Sequence, residues 1–283
     1  MVMKHIRLVL LLVFLATGGT LFFQGCDTAE YSGQTISYEE LRALIHEGAL
    51  IDPTTTIVDV RSRETWAAGS IQDAVNIVSG SIVDAFGNLI DNGEALTSMV
   101  ADKEAQLIVY GSGDGEAVQV AHQAGELGYQ DVYLYEGGAA DWELNGDYFV
   151  MAYEGFRAWY DEHCPFDDGE NYLVSLMFPD FYTGTFSANP DGHIPGAVNM
   201  WDELFVSGDS LLDNGKALTD IIPDTDATIV MYCYYAACPR SYHAAQGAVS
   251  LGYKHIYRYQ DGWVGWQEAG NSFVTGEQPG TCP

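Results

Sequence analysis

One stretch of this chain occurs twice. Leu89-Ile90-Asp91-Asn92-Gly93-Glu94-Ala95-Leu96-Thr97 returns 122 positions later as Leu211-Leu212-Asp213-Asn214-Gly215-Lys216-Ala217-Leu218-Thr219. The register holds through Leu107-Ile108-Val109-Tyr110 against Ile229-Val230-Met231-Tyr232. It slips to 124 by Leu127-Gly128-Tyr129 against Leu251-Gly252-Tyr253, so the second copy has gained two residues in between. Val132-Tyr133-Leu134-Tyr135 then answers Ile256-Tyr257-Arg258-Tyr259, and each is followed by a glycine and a tryptophan, Gly138 and Trp142, then Gly262 and Trp266. A repeat of this length is a domain and not a solenoid unit. The 283 residues are therefore expected to form two like domains, each with its own core.

Within a copy, short apolar runs alternate with helical stretches. Ser37 and Glu40 make a capping box that opens a helix through Leu41 and Leu44 to Gly48. Residues 57–60, 107–110 and 132–135 read as buried strands, and 117–127 as a helix. Strand, helix, strand in this order predicts an α/β fold with a parallel sheet covered by helices. The acid-rich stretch 151–170, with Glu154, Asp161, Glu162, Asp167 and Asp168, reads as a linker or a helix leading into the second copy.

The N-terminus carries Lys4 and Arg7, then an apolar run over 8–23, then Gln24, Gly25 and Cys26. That order is of signal-peptide type, and the run is shorter than the roughly 20 apolar residues that span a bilayer. Gly25-Cys26 resembles a bacterial lipobox, which implies cleavage after residue 25, lipidation of Cys26 and a periplasmic or cell-surface protein held to the membrane by lipid alone. Phe23 departs from the small aliphatic residue usual in that motif, and an ordinary secreted protein or an uncleaved anchor stays open. Loss of this segment with Lys4 and Arg7 takes the formal charge from −29 to −31. Such a surface excludes nucleic acid as a partner and is suited to remaining solvated. Setting Cys26 aside, Cys164, Cys233, Cys238 and Cys282 remain; in an oxidising compartment Cys164 and Cys282 can be bridged, although spacing does not fix the pairing.

Val58-Asp59-Val60-Arg61 followed by Glu64 and Trp66, and Gly192-His193-Ile194-Pro195-Gly196-Ala197-Val198-Asn199, resemble two signatures of the rhodanese family. Each copy has lost a different one. The first keeps only the frame of the second signature in Gly69-Ser70-Ile71-Gln72-Asp73-Ala74-Val75-Asn76, and the second has Ser175-Leu176-Met177 where Asp-Val-Arg would stand. The likeness spans about residues 35 to 275. It implies two rhodanese-like domains, each a parallel sheet of about five strands with helices on both faces. The expected divisions are a signal peptide at 1–25, a tether at 26–34, an inactive first domain at 35–150, the linker at 151–170, a second domain at 171–276 and a tail at 277–283.

In rhodaneses the nucleophilic cysteine follows the central strand and opens a loop leading into a helix. Here that resemblance falls on Cys233, with Tyr234, Tyr235, Ala236, Ala237 and Arg240 as the substrate-binding loop. Loop amides and a helix N-terminus favour a thiolate, and Arg240 supplies a fixed charge for a small sulfur-containing anion such as thiosulfate. The resemblance implies a sulfurtransferase that carries sulfane sulfur as a Cys233 persulfide to a thiol or cyanide acceptor, with no cofactor and no metal. The first copy has Gly111-Ser112-Gly113-Asp114-Gly115-Glu116 in the equivalent place, which offers no nucleophile.

The second loop departs from the family. Active sulfurtransferases commonly carry arginine five positions after the cysteine, where this chain has Cys238, and Arg240 lies two positions further on. The six-position spacing of related phosphatases and arsenate reductases is not matched either. Cys238 can act as a resolving thiol, pair with Cys233 as a dithiol redox couple, or form a plain structural bridge. A catalytically silent binding module is the remaining alternative. His193 reads as an anchor of its loop, His243 as a surface residue, and Trp263 and Trp266 as core; no fourth ligand accompanies Cys233, Cys238 and His243 to make a metal site.

Overall fold

The computed structural model describes residues 33–46, 54–113, 115–163, 169–186, 191–201, 206–208 and 210–282. The signal-type segment, Cys26, Asp114 and Cys164 lie outside the described residues. The first copy runs β1 (Gln34–Thr35), α1 (Tyr38–His46), β2 (Thr55–Asp59), α2 (Arg63–Ala68), β3 (Val75–Asn76), α3 (Glu94–Met99), β4 (Gln106–Tyr110), α4 (Glu116–Glu126), β5 (Asp131–Tyr135) and α5 (Gly138–Leu144). Its strands form a five-stranded sheet in the order β1-β5-β4-β2-β3, every neighbour parallel.

The second copy runs β6 (Phe149–Met151), α6 (Tyr153–His163), β7 (Asn171–Ser175), α7 (Pro179–Thr183), β8 (Ala197–Asn199), the strands β9 (Val206–Ser207) and β10 (Ser210–Leu211), α8 (Lys216–Ile221), β11 (Thr228–Tyr232), α9 (Pro239–Ser250), β12 (His255–Tyr259) and α10 (Gly262–Glu268). The order β6-β12-β11-β7-β8 repeats the first topology, and β9 and β10 form a separate antiparallel pair. Two parallel five-stranded sheets with helices are the α/β fold expected.

The central strands are apolar on both faces, as a sheet covered on both sides requires. In the second copy Val174, Ile229, Met231 and Ile256 pack beneath Ala244, Ala245 and Ala248 of α9. Leu173, Val230, Tyr232 and Tyr259 pack on the other face with Phe156 of α6 and with Trp263 and Trp266 of α10, which are core residues as read from the sequence. The capping box at α1 is formed: the Ser37 amide donates to Glu40 Oε2 at 2.9 Å and the Glu40 amide to Ser37 Oγ at 3.3 Å. The repeated Asp-Asn-Gly has a backbone cause. Gly93 and Gly215 take φ of +73° and +70°, which favours glycine, and a Cβ there would lie 2.5 Å from Leu127 at the end of α4 and 2.4 Å from Leu251 at the end of α9.

Two boundaries differ from the sequence reading. Phe149–Met151 is the edge strand of the second sheet, paired with β12, so the second fold begins there and not at residue 171. A run this apolar is buried only when a strand partner takes up its amides. Of the two readings of the stretch after it, the helix is the one seen: α6 packs on α2 so closely that a Cβ at Gly155 would lie 2.0 Å from the Ala67 carbonyl oxygen. The tail is also fastened. Val274 exchanges backbone hydrogen bonds with His193 at 2.9 and 3.1 Å, as Val150 does with Ser70 at 2.9 and 2.8 Å, and the Gly196 amide donates to Pro279 O at 2.7 Å. Each copy is thus clasped by the segment that follows it.

Candidate active site

Central strand β11 ends at Tyr232, and Cys233 begins the loop to α9 at the carboxyl end of the sheet, where open α/β folds place their sites. The loop is bound to the start of α10: the Trp263 amide donates to Cys233 O and the Val264 amide to Tyr234 O, both at 2.9 Å. Gly262, at φ +62°, allows this approach, since a Cβ there would lie 2.4 Å from Cys233 O. The first copy repeats the arrangement without the thiol: the Ala139 amide donates to Gly111 O at 2.9 Å, and a Cβ at Gly138 would lie 2.4 Å from that oxygen.

Cys233 and Cys238 are joined by a disulfide with Cα atoms 6.2 Å apart. The Cys238 amide donates back to Tyr235 O at 3.0 Å, which folds the loop into a turn and brings the two Cα atoms within bridging range. Cys233 is 3% and Cys238 7% exposed. Of the options left open by the sequence, the bridge is the state seen, and the thiolate expected at the loop is not free in it. Cys282 is also disulfide-bonded; Cys164, its expected partner, lies outside the described residues.

The other loop residues are spread over two surroundings. The Tyr234 hydroxyl donates to Oδ1 of buried Asp191 at 3.1 Å, and its ring meets Phe181 edge-on with centroids 5.2 Å apart. Tyr235 is 52% exposed, and Ala236 and Ala237 are exposed beside it. Arg240, in the first turn of α9, stacks its guanidinium over the Phe178 ring 3.6 Å from the centroid. Its charge lies beside the loop but is engaged with an aromatic face.

The family signatures do structural work here. In the first copy Arg61 Nη2 pairs with Asp59 Oδ2 at 2.6 Å and donates to Gly69 O at 2.7 Å. The Tyr110 hydroxyl donates to the same carboxylate oxygen at 2.6 Å and accepts from the Ile71 amide at 3.0 Å. In the second copy Ser175 hydrogen-bonds to Tyr232, which accepts from the Ile194 amide at 3.2 Å, while Met177 fills the place of Arg61. Asn76 and Asn199 each tie β2 or β7 to the loop after it through two carbonyls. His193 is buried, stacked on Tyr182 with centroids 3.6 Å apart, and its ring nitrogens face Tyr182 O at 2.9 Å and Gln278 O at 3.0 Å. Burial outweighs the backbone groups of Tyr182, Gln278 and Pro279 and lowers its pKa below 6.5, favouring the neutral ring. It anchors the loop, as read from the sequence. Among the described residues no cluster of three or more His, Cys, Asp and Glu is placed to hold a metal ion.

Sequence reading passed over Asp191, Gln72 and Arg258. Asp191 and Gln72 carry no signal, because the contacts that matter span 43 and 186 positions. Arg258 does carry one, a charge in a buried strand where the first copy has Leu134.

A duplicated parallel α/β fold with a cysteine loop at the carboxyl end of a central strand defines a tandem protein in which one half has a cysteine at that place and the other a glycine. The chain belongs to the rhodanese-like domain family, whose model matches residues 37–145 and again 165–269. It is 24% identical over 203 residues to a Haloferax volcanii protein provisionally described as a thiosulfate sulfurtransferase, covering 62% of this chain and 71% of the relative. Similar solved structures include a variant of EanB with ergothioneine (16% identity, 86% of this chain and 70% of that one, TM-score 0.37). YnjE is another, at 20% identity, 87% and 69% coverage and a TM-score of 0.36. A third is a thiosulfate sulfurtransferase of Pseudomonas aeruginosa, at 19% identity, 88% and 45% coverage and a TM-score of 0.32.

Proposed function

We propose that the second half transfers sulfane sulfur through Cys233 and that the bridge to Cys238 is its oxidised resting state. The observation that carries this reading is the pairing of Cys233, on the family's nucleophile position, with a second cysteine five residues on. A thiol reductant first opens the bridge, its own two thiols becoming a disulfide as Cys233 and Cys238 become thiols. The Cys233 thiolate then attacks the outer sulfur of a thiosulfate-like anion. A new sulfur–sulfur bond forms, the donor's bond breaks, and sulfite leaves with the electron pair. An external thiol or cyanide takes the outer sulfur from the persulfide. Alternatively, the Cys238 thiolate attacks Cys233 Sγ, expels hydrosulfide and restores the bridge. That second route converts thiosulfate and two thiols into sulfite, hydrogen sulfide and a disulfide.

The protein acts outside the cytoplasm in this proposal, held to a membrane by lipid on Cys26. The disulfide-bonded state of Cys233, Cys238 and Cys282 supports an oxidising compartment. The test is intact-mass analysis of the reduced, mature protein after incubation with thiosulfate. One added sulfur atom that disappears with Cys233→Ser is the expected result. The closed bridge also favours a second reading, a dithiol redox protein without sulfur transfer. No adduct, together with reversible cycling of the bridge against glutathione, overturns the first reading and supports the second.

A further inference from the structure

The second half holds a buried cation at a strand position where the first half has Leu134, and unlike the buried Arg61 it has no carboxylate beside it among the described residues. Arg258 on β12 is 5% exposed and in register with Met231 of β11. Cys233 follows Met231 by two residues, just past the end of β11, and shares with it the core cluster on the face of the sheet that Arg258 enters. The guanidinium donates from Nη1 to Gln72 Oε1 of the first half at 2.7 Å and from Nη2 to Ser241 Oγ at 3.5 Å. It lies 5.8 Å from the ring centroids of both Tyr148 and Tyr242, which pack in one core cluster with Cys233 and Cys238. Ser241 is in the first turn of α9, whose N-cap is Cys238. Nε has no hydrogen-bond partner, and among the described residues no hydrogen bond or ion pair joins Arg258 to a carboxylate.

Burying a guanidinium without a counter-ion is costly. The fold accepts it only in the half with a thiol: where the second half has Arg258 and Cys233, the first has the buried Leu134 and Gly111. The bridged state leaves the cation without its anion, and opening the bridge supplies one.

We propose that Arg258 is the counter-charge of the Cys233 thiolate, held in position by Gln72 from the cysteine-less half. This rests on the reading that Cys233 works as a thiolate. Arg258 takes the electrostatic part that the loop arginine plays elsewhere in the family, from beneath the loop, while Cys238 occupies the loop position itself. It acts through Cys233 and is a positioning residue. The charged or titratable groups on the elements packed around the pair include Arg240, Tyr242 and His243 of α9, Asp147 and Tyr148 ahead of β6, Asp191 with Tyr234, and Asp261 before α10. Asp147 is paired with Arg42 at 2.9 Å, Tyr148 is kept neutral by burial, and burial raises the Asp261 pKa.

The test is the pH dependence of iodoacetamide alkylation at Cys233, resolved by peptide mass spectrometry on the fully reduced chain. It is run on the wild type and on Arg258→Gln, Arg258→Met and Arg258→Lys. The wild-type midpoint is expected well below the free-thiol value of about 8.5. The Gln and Met variants are expected to raise it by about one unit or more, with alkylation at neutral pH falling about tenfold, and Lys to retain most of the depression. A role in packing alone leaves the midpoint in place. A midpoint unchanged in either neutral variant overturns the proposal, as does a wild-type midpoint near the free value even if neither variant folds. Thiosulfate treatment of the same samples separates the two ideas. A sulfur adduct with an indifferent midpoint sinks the counter-charge alone, and a shifted midpoint without an adduct sinks sulfur transfer alone.

Discussion

At the scale of single residues, an ion pair in one half does what a hydroxyl and a thioether do in the other. Asp59 and Arg61 are buried and orient Tyr110, whereas Ser175 and Met177 flank Tyr232 without a charge. Asp59→Ala leaves the Arg61 guanidinium buried without its anion and is expected to cost about 3–5 kcal/mol in urea unfolding. Replacing both, Asp59→Ser with Arg61→Met, is expected to recover most of that loss; a double variant no better than the single contradicts the view that the pair is a replaceable scaffold. The signature residues were easy to find because motifs report identity. Their work was not, because a motif does not say whether an arginine faces a substrate or, as with Arg61, a carbonyl eight residues along the same chain.

Among the elements, the three inner strands of the first copy follow from the apolar runs at 57–60, 107–110 and 132–135, and both sheets have the parallel topology those runs imply, whereas the strand order and the two-residue edge strands β1 and β3 carried no such signal. Strand β6 was hidden for a physical reason. Its three residues look like the end of the first copy, and what makes them a strand is β12, more than 100 positions later. Helix α6 shows the same dependence on a distant partner. Gly155 seats it against the Ala67 carbonyl of α2, so Gly155→Ala is expected to lower stability by about 1–3 kcal/mol through overpacking, although alanine is the better helix former. An unchanged or raised melting temperature would show that the two helices slide apart freely. The cysteine loop was legible in position but not in state, since its bridge depends on a turn that spacing alone does not fix.

Taken whole, the described halves interlock. Trp142 Nε1 donates to Tyr148 O at 3.0 Å, the Ala152 amide to Ala67 O at 3.0 Å, and Phe149 and Tyr257 join the core built on Ile36, Ile71 and Trp142. A lesion in the first half is therefore expected to be felt in the second. In reduced protein, Asp59→Ala should lower the urea concentration at which Cys233 becomes fully alkylated, in step with the loss of tryptophan fluorescence. An alkylation midpoint that stays put while fluorescence shifts would show that the halves melt separately. The amide that grips Gly111 O has one more consequence. Because that grip matches the one on Cys233, and a Cβ at Gly111 would come no nearer than 3.4 Å to Val60, the cysteine-less half has room for a small side chain at the matching position. Gly111→Cys is expected to be accepted without rebuilding the backbone, yet with Leu134 in place of an arginine on the neighbouring strand its thiol is expected to be sluggish, alkylated only in alkali.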